Sequence, residues 1–384
     1  MIFKLKVQIA LVCISLILAS GIAYYSYFYS KGRVSEAASK WLHTEGRYIK
    51  DSSGNIVYLR GVSKMGLEYT RGGFHIVESD YDLMREMGVN VVRIPYTMEW
   101  IYDADYLSKI DRQIQWCKER NIYVILDMHR PNHRGQQSFP GNETAWISQW
   151  LFLAERYKEE PTVIGFDLFN EPHDVSWIKW RNAAEKAAKA IHKVNPNLLI
   201  FIQGIGWGSD LAGAHTNPIN ETNIVYSPHI YPYPLSHAEW SYAYKEGDYE
   251  RGYQLLRDYV KSNWEPILTN NVAPILVGEF GTPAFEEHNL RWMKDLLEIM
   301  HELEISYTCW VFYGSDKPRD CALLKPDWKT FQPQTKILIE YLKRGKLKED
   351  FDYGALTYTS VTSEENSVKE IHKVNINHPR PKPR

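Results

Sequence analysis

Cysteine is scarce in this chain: four in 384 residues, at positions 13, 117, 309 and 321. Their spacings match no metal-binding pattern, so a structural zinc site is not indicated. Charge of one sign is lacking as well. Lys and Arg total 45, Asp and Glu 47, for a formal net charge of −2. No block of like charges is long enough to attract a nucleic acid, and neither zinc-finger spacing nor a helix-turn-helix signal is present. No glycine-rich dinucleotide fingerprint follows the first strand-like run, which argues against an open nucleotide-binding sheet.

What is abundant is aromatic. Phe, Trp and Tyr make up 14% of the chain, with 13 Trp and 26 Tyr. That exceeds the needs of a core, and two readings stand: a bulky interior, or rings lining a cleft. Flat apolar rings suit sugars or bases, and the lack of a basic field argues against bases. A hydrophobic share of 44% with 24% charged residues fits a globular protein.

Lys4 and Lys6 precede an uncharged run over 7–29, so residues 1–30 form a signal peptide or an N-terminal membrane anchor. Tyr24, Tyr25, Tyr27, Phe28 and Tyr29 resemble an interfacial aromatic belt. Either way the rest of the chain leaves the cytoplasm, secreted or held on the outer face of the membrane through residues 7–29. Residues 31–40 read as a polar linker, 41–350 as the folded domain, and 351–384, closing in "HPRPKPR", as a poorly ordered tail. In an exported chain Cys309 and Cys321 are able to pair across a turn-rich segment; buried free thiols are the alternative.

Apolar runs recur at 57–62, 89–94, 122–126, 163–169, 198–202, 224–226, 274–277 and 307–312. Amphipathic segments such as 81–88, 111–121 and 180–195 fall between them. Eight short apolar strands alternating with helices predict a parallel sheet buried on both faces, closed into an α/β fold of the (β/α)8 barrel type. Such barrels carry their chemistry at the C-terminal ends of the strands. There this sequence turns polar: Arg93, then His129, Asn170-Glu171-Pro172, His229 and Tyr231, Glu279, and Trp310. Glu171 and Glu279 end strands four and seven, on opposite sides of the mouth. Two opposed carboxylates about 5–5.5 Å apart are the equipment of a retaining glycosidase. A metal site built on the two histidines is the rival, but no third ligand stands at helical spacing from either.

With these residues in place, the chain resembles glycoside hydrolase family 5 of the cellulase type over residues 41–345. Arg93, His129, Asn170, Glu171, His229, Tyr231, Glu279 and Trp310 match the family's hallmark residues in order. The resemblance implies hydrolysis of internal β-1,4 bonds in a glucan, with retention and without a cofactor or metal. It implies Glu171 as acid/base, Glu279 as nucleophile held ionised by Arg93 and oriented by Tyr231, and Asn170 on the sugar 2-OH. His129 and His229 would bond the sugar and the acid/base, and Trp310 would stack beneath the sugar, with a cis peptide after it. Trp207, Trp240, Trp100, Trp146 and Tyr233 lie in strand-to-helix segments and are candidates for outer sugar-stacking positions; Asn132 and His133 are further candidates for substrate contact. The resemblance also implies a polysaccharide or oligosaccharide substrate and a monomeric catalytic domain. An endo-β-mannanase, an exo-acting glucosidase, a non-catalytic carbohydrate-binding barrel and a metal-dependent hydrolase are the alternatives.

Overall fold

The structure is a computed structural model that describes residues 41–282 and 286–344. The leader or anchor at 1–30, the linker at 31–40 and the tail at 351–384 lie outside the described residues. Among the described residues no helix is long and apolar enough to cross a membrane.

The described residues open with a hairpin that no apolar run had signalled, β1 (His43–Glu45) against β2 (Tyr48–Lys50). Nine parallel strands follow: β3 (Arg60–Lys64), β4 (Val91–Thr97), β5 (Tyr123–Arg130), β6 (Val163–Asp167), β7 (Leu199–Ile202), β8 (Ile224–Tyr226), β9 (His229–Ile230), β10 (Leu276–Phe280) and β11 (Ser306–Phe312). Their spatial order is β8-β7-β6-β5-β4-β3-β11-β10-β9. The eight expected strands are all present. The ninth arises because the sixth barrel strand is broken at Ser227-Pro228. Its first piece, β8, pairs with β7; its second, β9, pairs with β10. A parallel bridge from Tyr226 to Ile275 joins the two edges, so the sheet closes. Pro228 has no amide hydrogen for a ladder, which explains the break at that residue.

Two apolar layers hold this barrel. The larger packs the outward faces of the strands against the surrounding helices, among them Glu143–Arg156, Trp177–Val194 and Glu287–Glu302. Trp146, Trp150, Trp180, Trp264 and Trp292 are fully buried, so much of the tryptophan content is core. The smaller layer is the barrel lumen: Leu59, Val91, Ile125, Leu199, Phe201, Val225 and Leu276, joined by Leu42 and Ile49 of the hairpin segment. The hairpin therefore plugs the barrel end where the strands begin.

Side chains alternate faces along a strand, so residue i+2 shares the face of residue i. Two residues beyond lumen-facing Val91, Ile125 and Phe201 stand Arg93, Asp127 and Gln203; Asp167 stands two beyond Gly165. Along these four strands the lumen thus turns from apolar to polar or charged in one step. Gly165 allows neighbouring strands to meet here. A Cβ on it would lie 2.1 Å from the Leu199 carbonyl oxygen and 2.8 Å from the Phe201 ring. Gly165→Ala is therefore expected to lower stability by about 3 kcal/mol through overpacking, read as a reduced urea midpoint with an unchanged slope.

Candidate active site

Arg93 has no exposed surface and occupies the centre of the charged layer. Its Nη1 lies 2.7 Å from Glu279 Oε1, its Nε 3.0 Å from Asp167 Oδ2 and its Nη2 3.0 Å from Asp127 Oδ2. Nη2 also donates to Asn170 Oδ1 at 2.9 Å. Burial works to discharge the guanidinium, but the charges on Asp127, Asp167 and Glu279 outweigh it and raise its pKa. In the aspartic acids burial wins instead. Burial pushes Asp127 up to about 7 and Asp167 up to about 6, against the pull of Arg93.

Glu279 is held at both oxygens. Arg93 binds Oε1, and the Tyr231 hydroxyl donates to Oε2 at 2.7 Å. Burial, then Glu279, keeps the Tyr231 phenol far above its ordinary pKa, so it donates throughout the working range. Glu171 stands across the cavity with one-fifth of its side chain exposed. Its φ of 54° is in the left-handed region, which turns the chain sharply at the end of the fourth barrel strand. The backbone there is tied on both sides: Glu171 N–H donates to Gln203 Oε1 at 2.7 Å, and its carbonyl lies 2.8 Å from His173 Nδ1. Burial raises the Glu171 pKa, while Gln136, His129 and Arg93 draw it down.

Carboxylate oxygens of Glu171 and Glu279 lie within 4.8 Å of one another, with a His229 nitrogen in the same group. His229 Nδ1 is 3.2 Å from Glu171 Oε1 and 3.6 Å from Glu279 Oε2. His129 Nδ1 is 2.8 Å from Asp127 Oδ2. Burial depresses both imidazoles to about 4, so both are neutral near pH 7. The Trp310 ring lies parallel to His129, with centroids 5.1 Å apart at 6°, and the Trp310–Val311 peptide is cis. All eight residues singled out from strand ends thus meet in one place. A cation held by Glu279 with Asp127 and His129, or with Glu171 and His229, would face the Arg93 guanidinium, whose nitrogen is already 2.7 Å from the shared ligand. The donor set is built around an internal cation.

The site opens into a cavity of about 690 Å³. Trp207, Trp240, Tyr69 and Tyr259 line it beside the central residues. Trp207 is 57% exposed and stacks on His173 at 4.7 Å and 7°. Trp240 reaches the cavity but is 5% exposed, with one face stacked on Trp292. The other aromatic candidates fall elsewhere. Trp146 is 1% exposed and donates its indole N–H to the Leu168 carbonyl at 2.8 Å, so it is core. Trp100 packs edge-on against Tyr106. The Tyr233 ring carries Lys245 Nζ 4.0 Å from its centroid and is outside the cavity lining. His133 is bound to Glu99 at 2.8 Å, and Asn132 closes a tight turn onto Gly135. Cys309 and Cys321 are buried free thiols rather than a disulfide. The sulfurs are directed at backbone carbonyls, those of Trp310 and Arg319, and burial raises both thiol pKa values.

Asp127, Asp167, Gln203, Gln136 and Tyr69 were not singled out as site residues by the sequence. For Asp127, Asp167 and Gln203 the period of two along each strand is the signal that would have found them. Arg93→Met would leave three buried carboxyls without a counter-charge, at a cost of about 3–5 kcal/mol. Acids with raised folded-state pKa values bind protons more tightly when folded, so their repulsion costs little at low pH and grows as pH rises through about 6 to 7. The variant's loss, measured by urea unfolding, is therefore expected to be larger at pH 8 than at pH 5.

The cellulase model of glycosyl hydrolase family 5 matches residues 51–316. An endoglucanase of Paenibacillus polymyxa is 31% identical over 371 residues, covering 83% of this chain and 91% of that one. Endoglucanase G of Acetivibrio thermocellus is 27% identical, covering 78% of this chain and 70% of its own. Among solved structures, the catalytic domain of the major endoglucanase from Xanthomonas campestris pv. campestris superposes with a TM-score of 0.68 at 23% identity, covering 79% of this chain and 99% of that domain. An endocellulase from Pyrococcus horikoshii in complex with cellotetraose does so at 0.68 and 21%, covering 79% and 98%. These structures share the closed barrel.

Proposed function

Because the chain belongs to glycosyl hydrolase family 5, the cellulase family, we propose that it hydrolyses internal β-1,4 bonds of a glucan with retention of configuration. The observation that carries this reading is the pair of carboxylates. Oxygens of Glu171 and Glu279 come within 4.8 Å. An inverting enzyme needs about 6.5–9.5 Å to admit a water between its carboxyls, and a retaining one about 5–5.5 Å. Their environments also differ in the sense two roles require. Glu279 has a cation and a phenol at its oxygens, which suits an ionised nucleophile. Glu171 has its pKa raised by burial, which suits a proton donor.

In the first step Glu279 attacks the anomeric carbon while Glu171 gives its proton to the departing glycosidic oxygen. In the second, the Glu171 carboxylate takes a proton from water, the water oxygen bonds to the anomeric carbon, and Glu279 leaves as a carboxylate. Asn170, fixed by Arg93, is the candidate for the sugar 2-OH, and Trp310 for the face of the sugar at the cleavage point. Trp207, exposed at the cavity wall, is the candidate for an adjoining sugar. The relatives' names and the cellotetraose bound by the Pyrococcus horikoshii enzyme favour a cello-oligosaccharide or cellulose-like polymer. Export agrees with a relative described as a major extracellular endoglucanase, 30% identical over 48% of this chain and 48% of that one.

Glu279→Gly is expected to abolish turnover and to regain activity with external azide, which occupies the space of the lost carboxylate. Glu171→Ala is expected to slow substrates with poor leaving groups by about 100-fold or more, and activated aryl glycosides far less, because the latter need little proton donation. Equal losses on both substrate types would remove Glu171 from the acid role. Product sizes from β-glucan, mannan, xylan and xyloglucan identify the substrate: mixed short cello-oligosaccharides from β-1,4-glucan alone are expected, and preferential cleavage of mannan would overturn the glucan assignment.

A further inference from the structure

Gln136 lies in the segment between β5 and the helix Glu143–Arg156, and its side chain reaches the cavity beside Glu171. Its Nε2 lies 3.0 Å from the Asn170 carbonyl oxygen and 3.1 Å from Glu171 Oε2. A carbonyl only accepts, so the atom facing it must be the amide nitrogen, and the orientation of the Gln136 amide is determined. Both amide hydrogens are then committed, one to Asn170 and one to Glu171. The segment itself is fastened to the chain just past the acid, since His173 N–H donates to the Ser138 carbonyl at 3.0 Å.

Resting on the reading of Glu171 as acid/base, we propose that Gln136 is a positioning residue that sets which oxygen of Glu171 carries the transferable proton and how readily Glu171 gives it up. An oxygen that bears a proton is a poorer acceptor. The Gln136 donor at Oε2 therefore favours protonation at Oε1, the oxygen nearest His229. The same bond stabilises the carboxylate and opposes the effect of burial. This matters because Glu171 must act twice, as a donor and then as a base. Burial alone would make a good acid that fails to recover as a base; the amide restores the balance.

Other titratable or charged groups also face Glu171. Arg93 stands on β4, Asp127 and His129 on β5, His229 on β9 and Glu279 on β10, with His173 on its own segment. Substitutions at position 136 leave all of these in place, so they change one neighbour only. Gln136→Glu replaces the donor with a like charge, and Gln136→Lys keeps a donor and adds an opposite charge.

The test measures the pH profile of kcat/KM on an unactivated cello-oligosaccharide, whose leaving group needs the Glu171 proton, and that of kcat on an activated aryl cellobioside, for the intact chain and both variants. Near-ultraviolet circular dichroism confirms that each is folded. Gln136→Glu is expected to move the alkaline limb of kcat/KM to higher pH, and Gln136→Lys to move it to lower pH. In Gln136→Glu, kcat near pH 5 is expected to fall by about tenfold, because the base step is limiting for a good leaving group. Limbs that stay put, or move in the same direction in both variants, overturn the proposal, since loop disruption has no sign. Glu171→Ala separates the two readings. If it keeps the alkaline limb, Glu171 is not the group titrating and the acid/base assignment fails; if it loses the limb, only the Gln136 proposal is at stake.

Discussion

One guanidinium holds the catalytic end of this barrel together. Arg93 reaches from β4 to Asp127 on β5, Asp167 on β6 and Glu279 on β10, each within 3.0 Å. Such a cluster would be costly with any partner removed, because each buried charge is tolerable only while compensated. Complete, it ties Glu279 through one side chain to carboxylates on two other strands. Burial, and after it the surplus of acid over base in that layer, raises the pKa values of Asp127 and Asp167. Site and fold are thus stabilised by the same contacts.

The barrel was legible because doubly buried parallel strands read as short apolar runs, and all eight runs proved to be strands. The hairpin at 43–50 was not, since "HTEGRYIK" is mostly polar and only Ile49 enters the core. The break in the sixth strand was equally hidden, although Pro228 marks its place. The eight strand-end residues were legible because polar groups at the ends of apolar runs stand out. Their supports were not: Asp167 lies within a strand, and Gln136 reaches Glu171 only through the folding of a loop.

The aromatic candidates show where reading by position reaches its limit. Trp146 and Trp207 both follow barrel strands, yet one is core and the other is exposed at the cavity. Local sequence and backbone separate the two rings. Trp146, Trp150 and Leu153 recur at helical spacing on one buried face. Trp207 sits between Gly206 and Gly208, and all three have positive φ, so the turn carries the ring outward. Membership of a loop decides little; the backbone conformation at the residue decides whether its ring meets solvent or core.

The hairpin plug has a consequence for orientation. Leu42 and Ile49 seal the barrel where the strands begin, while Glu171 and Glu279 stand where they end. Residue 41 is therefore on the face opposite the cleft. A support or carrier joined at that point would leave the cleft turned outward, free to settle on an insoluble polymer too large to diffuse towards it.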